Sequence, residues 1–403
     1  MDSALFNIFI GTLICILCPV IFRYLLSSAL NSQPLHQFYR KAWGNAWPVR
    51  SGTLTKDEIG LAPDDEELFG VEIGPGVQGY LCLEHIKLVA KALRLATNVQ
   101  DILVLRKQYT TILSMLIETS QGKERIVVLT GQPGIGKTTF LLFILLHRLQ
   151  RRLPTAVQVN AEQFIIFDEC GVSVYDAKIQ MHQDNTLCRR LSRCWALCDS
   201  NQNLASPCLT IQLEASFVII TSAPQPHRWQ GLLKQMGGTV SFLRLPNVMD
   251  SIGAVIKELQ LDTEQTLSLV SKWGPSVRTV LRILQDPTRA SRYESDVKDA
   301  AQALARADYS QVFFQSQYGL LPTLAGSDLV FVDTDPDSQF NHECSILIPT
   351  AFLRNLVVQA SMNLSAEKAF DLFCTLGLSS HSLPLSSAGW SHEKATYERL
   401  ITF

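Results

Sequence analysis

The run Gly131, Gln132, Pro133, Gly134, Ile135, Gly136, Lys137, Thr138, Thr139 has the spacing Gly-x-x-x-x-Gly-Lys-Thr, and that combination of residue types can hold a phosphate. Glycines let the backbone take positive φ and approach an anion closely, so that successive N–H groups converge on it. A helix beginning at the same point adds the positive end of its dipole. Lys137 can reach the β- and γ-phosphates of a nucleotide, and the Thr138 hydroxyl can take a coordination position on Mg²⁺. ATP and Mg²⁺ are therefore the expected ligands. The bland alternative is a glycine turn joining a strand to a helix.

The flanking elements suit that chemistry. Arg125 to Thr130 is an apolar, β-branched run that reads as a strand, and Phe140 to Leu146 is a leucine-rich stretch that reads as the following helix. A phosphate-loop ATPase also needs a carboxylate at the end of a neighbouring strand to hold the metal. Asp199 ends the run Arg193 to Asp199, and the next apolar run, Phe217 to Ser222, ends in the hydroxyls of Thr221 and Ser222. Asp168, with Glu169 beside it, ends Phe164 to Asp168, but Cys170-Gly171 leads directly into Val172 to Tyr175, as in a hairpin. A strand with an acid followed by a strand with a polar tip is the order of the central strands in RecA-like ATPases. Asp199 is therefore favoured as the metal acid, with Asp168 and Glu169 as the alternative. Whichever is not the metal acid caps a turn. Ser200 follows Asp199 where many such ATPases carry a catalytic glutamate, so slow or assisted hydrolysis is expected. Buried runs alternating with helical ones predict an α/β fold, a P-loop NTPase with a parallel RecA/AAA-like sheet flanked by helices, and ligands bind such sheets at their strand ends.

The chain has 403 residues, more than one ordinary domain, and 47% of them are hydrophobic, enough for substantial cores. Lys plus Arg (35) nearly balances Asp plus Glu (37), so the net charge of −2 provides no global signal for nucleic acid. Cys15-x-x-Cys18 lies inside the apolar N-terminus, the other cysteines of the ten are scattered without zinc-ligand spacing, and all read as reduced thiols. Ala4 to Phe22 is apolar except for Asn7 and Thr12, and Leu25-Leu26 extend the run past Arg23, so residues 4–26 approach a bilayer's thickness and residues 1–30 form a membrane-anchor candidate. Arg23, Arg40, Lys41 and Arg50 follow this run, which places the N-terminus outside and the ATPase domain facing the cytosol. A cleaved signal peptide on a secreted protein and a dispensable appendage on a soluble intracellular one are the other readings. Residues 31–82 read as a linker, 83–250 as the P-loop core, 251–310 as a helical lid and 311–403 as a small mixed α+β region. Within the core, the spacing of Ile86, Val89, Ala90, Leu93, Ile102, Leu105, Tyr109, Ile112 and Leu116 predicts one or two helices before the loop strand. In the last region, Leu329 to Val332 and Ser345 to Ile348 flank Asp333-Thr-Asp-Pro-Asp337, which reads as a turn.

Gly131 to Phe140, Phe164 to Gly171, Trp195 to Ser200, Ile220 to Pro224 with Arg228-Trp229, Gly274 to Arg278, and an upstream Arg106-x-x-Tyr109 together resemble the P-loop NTPase region of fungal Crinkler and retrotransposon-hot-spot type proteins. The resemblance covers residues 84 to 400 and implies an AAA-like or signalling-type ATPase coupled to an effector domain such as a nuclease. It implies that Asp199 is the Walker B acid, Thr221 and Ser222 a sensor, and Arg278 a sensor-2-like arginine reaching the γ-phosphate from the lid. On its own residues, Arg278 simply follows Gly274-Pro275 at a helix start, and an arginine there is ordinarily solvated or paired locally. Trp229 is expected to pack against the sheet. Acid-x-lysine triplets occur singly, at Asp176-Ala-Lys178 and Asp296-Val-Lys298, and are not read as a nuclease centre, so an effector or protein partner is expected to act in trans. The leading expectation is a Mg²⁺-dependent ATPase or nucleotide switch. Alternatives are a nucleotide-dependent binding module without hydrolysis, and a small-molecule kinase, for which there is no acceptor-site signature. There is no Asn-Lys-x-Asp-like guanine motif.

Overall fold

In chain order, a small antiparallel sheet precedes the phosphate-loop strand. The computed structural model describes residues 33–61, 76–95, 100–178, 185–200, 204, 206–225, 228–306, 328–334 and 345–362. The membrane-anchor candidate at residues 4–26 lies outside them, and among the described residues no helix is long and apolar enough to cross a membrane. Strands β1 (Val49–Thr55), β2 (Val77–Leu83) and β3 (Leu103–Leu105) pair in that order. Burial alternates along β2, with Gln78, Tyr80 and Cys82 inside and Val77, Gly79 and Leu81 outside, the period of a half-buried strand. Its inner face joins Leu54, Val248, Met249, Ile252, Val270 and Val280 in one apolar cluster. The Tyr80 hydroxyl donates to Glu258 at 2.8 Å, and Lys257 donates to the Thr53 carbonyl at 2.8 Å. The stretch read as a linker thus shares one core with the helices that follow Val248. The helical spacing gives two helices, Ile86–Ala92 and Lys107–Thr119, and only around Leu105, between them, does it give way to β3. Over three residues the helical and strand periods cannot be told apart, and pairing with β2 decides the outcome.

The main sheet contains β4 (Ile126–Thr130), β5 (Thr155–Gln158), β6 (Gln163–Asp168), β7 (Gly171–Asp176), β8 (Trp195–Asp199), β9 (Phe217–Thr221) and β10 (Gly238–Phe242). Its order is β10-β4-β9-β8-β5-β6-β7. The pairings from β10 through β5 are parallel, and β6 and β7 extend the sheet as an antiparallel hairpin. Every residue of β4 is buried. Val127 and Leu129 pack on the side of the loop helix Lys137–Gln150, while Ile126 and Val128 face the cluster containing Leu187, Leu191, Ile211 and Leu232. Each such side chain contributes roughly 1.5–3 kcal/mol of burial. Helices on both faces of a parallel sheet, with the loop strand separated from the acid-bearing β8 by β9 alone, fit a P-loop, AAA+-type α/β fold.

The segment read as a lid contains helices Ala254–Leu259, Thr263–Trp273, Val277–Gln285 and Arg289–Arg306. Strands β11 (Phe331–Asp333) and β12 (Ser345–Leu347) pair antiparallel, and helix Ala351–Ser361 follows. Trp273 packs edge-on against Tyr293 and Phe352, with ring centroids 4.9 and 5.2 Å apart. Thr350 caps the last helix by accepting from Leu353 N at 3.2 Å, and its hydroxyl donates to the Lys272 carbonyl at 3.0 Å. The described parts of the C-terminal region therefore build onto helices Thr263–Trp273 and Arg289–Arg306.

Candidate functional site

The chain leaves β4 and enters the loop helix through glycines with φ of 141° (Gly131), 85° (Gly134) and 106° (Gly136), conformations that side-chain-bearing residues rarely adopt. At Gly134 space is also exhausted, because a Cβ there would lie 2.5 Å from Ser276 Oγ and 3.0 Å from Arg278 Cβ. Gly136 caps the helix without a side-chain hydrogen bond, and the first turn carries no acid. The open N–H groups and the positive dipole end are thus available to an anion.

Lys137 folds back over this cradle, donating to the carbonyls of Gly131 at 2.6 Å and Gln132 at 2.8 Å. Burial first, then Arg278, lowers its pKa to about 7, against the opposing pull of Asp199. Lys137 is half-buried where it crosses the loop. Arg278 lies in the first turn of helix Val277–Gln285, behind Gly134. The residue as a whole is exposed, yet burial of its guanidinium and then Arg282 lower its pKa, again opposed by Asp199. Two cations therefore repel each other over the loop, and an anion between them relieves both.

The acid arrives from β8. Thr138 Oγ1 donates to Asp199 Oδ2 at 2.9 Å, and Thr221 Oγ1, from the paired position on β9, donates to Asp199 Oδ1 at 2.7 Å. Ser200 N donates to the Thr221 carbonyl at 2.8 Å, which continues the ladder past the acid. A hydroxyl and a carboxylate in contact are hard oxygen donors of the type Mg²⁺ takes, so these residues fit the metal. The loop, Thr138, Asp199, Thr221 and Arg278 are brought together. Pro133, Ile135 and Thr139 lie in the same turn; Ile135 is buried and Thr139 half-buried in the first helical turn.

Asp168 and Glu169, the alternative metal acids, are not brought to the loop. β6 runs antiparallel to β5, so Phe167 faces Thr155 at the start of β5, whereas Cys198 faces Gln158 at its end. Asp168 therefore lies at the opposite end of the sheet from Asp199. There it takes two hydrogen bonds from Arg190, at 2.6 and 2.9 Å, and Glu169 pairs with Arg193. Asp168 also accepts from Cys170 N at 3.0 Å, which caps the hairpin turn. Trp229 packs in the cluster on the sheet face away from the loop helix. Ser222 is buried beyond β9, its N–H donating to the Leu129 carbonyl at 3.0 Å. A contact absent from the sequence reading is the Gln132 side chain, whose oxygen accepts from Val332 N at 3.2 Å. Beside it, Asp333 Oδ1 accepts from Leu245 N at 2.9 Å. No local pattern signals a pairing of such range.

No model of a known protein family matches the chain, and no curated protein matches it. Among solved structures, the AMPPCP-bound DnaA of Aquifex aeolicus is similar at 13% identity with a TM-score of 0.34, over 74% of this chain and 88% of that one. A likeness at that level carries no functional weight, and the chemistry of the site stands on its own residues.

Proposed function

We propose that the protein binds Mg·ATP at Gly131–Thr139 and works as an ATPase or nucleotide switch whose lid responds to the nucleotide. The observation that carries this reading is the meeting of Thr138 and Thr221 on the two oxygens of Asp199, beside a loop over which Lys137 is already placed. Lys137 neutralises the β- and γ-phosphates, and Arg278, riding on the lid, senses the γ-phosphate. Thr138 and Asp199 would hold Mg²⁺, which when bound adds positive charge against the phosphates. The resemblance to Crinkler and retrotransposon-hot-spot type ATPases supports the same assignment and an effector acting in trans. Lys137→Ala should remove ATP binding and turnover from the purified protein, and unchanged affinity and turnover would end this reading.

A second reading, a nucleotide-dependent binding module without hydrolysis, is favoured by Ser200 standing directly after Asp199. Turnover abolished by Asp199→Asn would exclude it, and tight ATP binding with no turnover in the unmodified protein would establish it. From the sequence we also infer anchoring to a membrane through residues 4–26. Recovery of the full chain in the soluble fraction without detergent would overturn that.

A further inference from the structure

Two buried side chains outside the loop grip its backbone from behind. Arg106, directly before helix Lys107–Thr119, is 5% exposed, and its Nη1 donates to the carbonyl of Ile135 at 3.1 Å while Nη2 donates to that of Arg244 at 2.8 Å. Tyr109, one turn further on and 2% exposed, donates its hydroxyl to the carbonyl of Gly136 at 2.9 Å. The Gly136 carbonyl also accepts from Phe140 N at 2.9 Å, the first bond of the loop helix. The Tyr109 ring is held in place by Phe140 and Phe143, with centroids 5.2 and 6.0 Å away.

In a planar trans peptide the C=O and N–H point in opposite directions. Fixing the Ile135 carbonyl therefore aims the N–H of Gly136, and fixing the Gly136 carbonyl aims the N–H of Lys137. Both point away from the helix that carries Arg106 and Tyr109. Neither N–H has a hydrogen-bond partner among the described residues. Glycine at 136, with φ of 106°, lets that peptide turn freely, so its orientation needs an external constraint. The Tyr109 hydroxyl also occupies the space a side chain at 136 would need.

We infer that Arg106 and Tyr109 are positioning residues of the phosphate site, which orient the Gly136 and Lys137 N–H groups toward the phosphates by holding the two preceding carbonyls. A buried arginine is costly unless its donors are used, and here two of them are used on backbone carbonyls of the loop and of the β10 exit. The role rests on the proposed phosphate site, and the experiment separates the two.

In the full chain, Tyr109→Phe keeps the packed ring and removes only the donor, while Arg106→Lys keeps the charge and loses the fork. Affinity is measured for ATP, ADP and inorganic tripolyphosphate. Losing one such bond should weaken all three by the same factor, about 3- to 10-fold for Tyr109→Phe, and Arg106→Lys should do at least as much. The Mg²⁺ concentration at half-maximal binding should not move, because Thr138 and Asp199 are untouched. A merely structural residue would lower the melting temperature and leave the affinities alone, and that result overturns the inference. So does a loss confined to ATP with tripolyphosphate unaffected. If the unmodified protein binds none of the three probes, the phosphate site itself is refuted and the positioning role falls with it.

Discussion

The Gln132 side chain accepts a hydrogen bond from Val332 N at 3.2 Å across 200 residues of chain, so a residue of the phosphate loop is tied directly to strand β11. The Gln132 carbonyl on the same residue is one of the two that Lys137 grips. A phosphate that draws Lys137 away frees that carbonyl, next to the side chain that holds β11.

Gln132→Ala leaves the buried Val332 N–H without its acceptor, at a cost of about 1–3 kcal/mol. Faster amide exchange at Val332 and a lower urea midpoint are expected, while Gln132→Glu, which retains an acceptor, should exchange more slowly than the alanine variant. Unchanged exchange at Val332 in the alanine variant would show that the bond does not hold the strand.

Asp199→Asn preserves size and removes the charge that a divalent ion needs. The Mg²⁺-dependent part of ATP affinity should fall by about 10- to 100-fold, the scale of losing a charged partner. Binding measured in EDTA should change far less. Equal losses with and without Mg²⁺ would mean that Asp199 does not face the metal.

Lys137 has a pKa of about 7 in the ligand-free protein, lowered chiefly by burial and then by Arg278. Phosphate oxygens raise it again, so binding above that pH requires uptake of a proton. The electrostatic gain is fully present below about pH 7 and declines as pH rises, by at most tenfold in affinity per unit. Isothermal titration in buffers of differing ionisation enthalpy should report the proton uptake near pH 8. Lys137→Arg, charged throughout, should show none of it, and equal uptake by that variant would assign the proton to another group.

Arg190 holds Asp168 at the far end of the sheet through a nearly buried pair, their side chains 15% and 5% exposed. Hydrogen bonding to Asp168 raises the Arg190 pKa. Removing one partner of such a pair typically costs about 3–5 kcal/mol, so Arg190→Ala should unfold at markedly lower denaturant. Asp168→Asn should also destabilise the fold and leave Mg²⁺-dependent nucleotide affinity intact. A specific loss of that dependence would reinstate Asp168 as a metal acid.

By itself the sequence determined the loop, because everything there is local: a buried β-branched strand, glycines at the turn and a leucine-rich helix lie within one continuous stretch from Ile126 to Gln150. It also made Asp168 suspect as a metal acid, since Cys170-Gly171 between two apolar runs is a hairpin signal. Only the tertiary structure decided which acid reaches Thr138, because strand direction, set by pairing with β5 and β9, puts Asp199 and Asp168 at opposite ends of the sheet. Pairing likewise turned the presumed linker into β1 and β2, whose registers depend on partners far along the chain. The same holds for Gln132 with Val332 and for Arg106 and Tyr109 behind the loop. Such contacts are made by side chains reaching backbone groups of other elements; the Arg106-x-x-Tyr109 spacing is visible in the sequence, but which carbonyls those side chains hold is not.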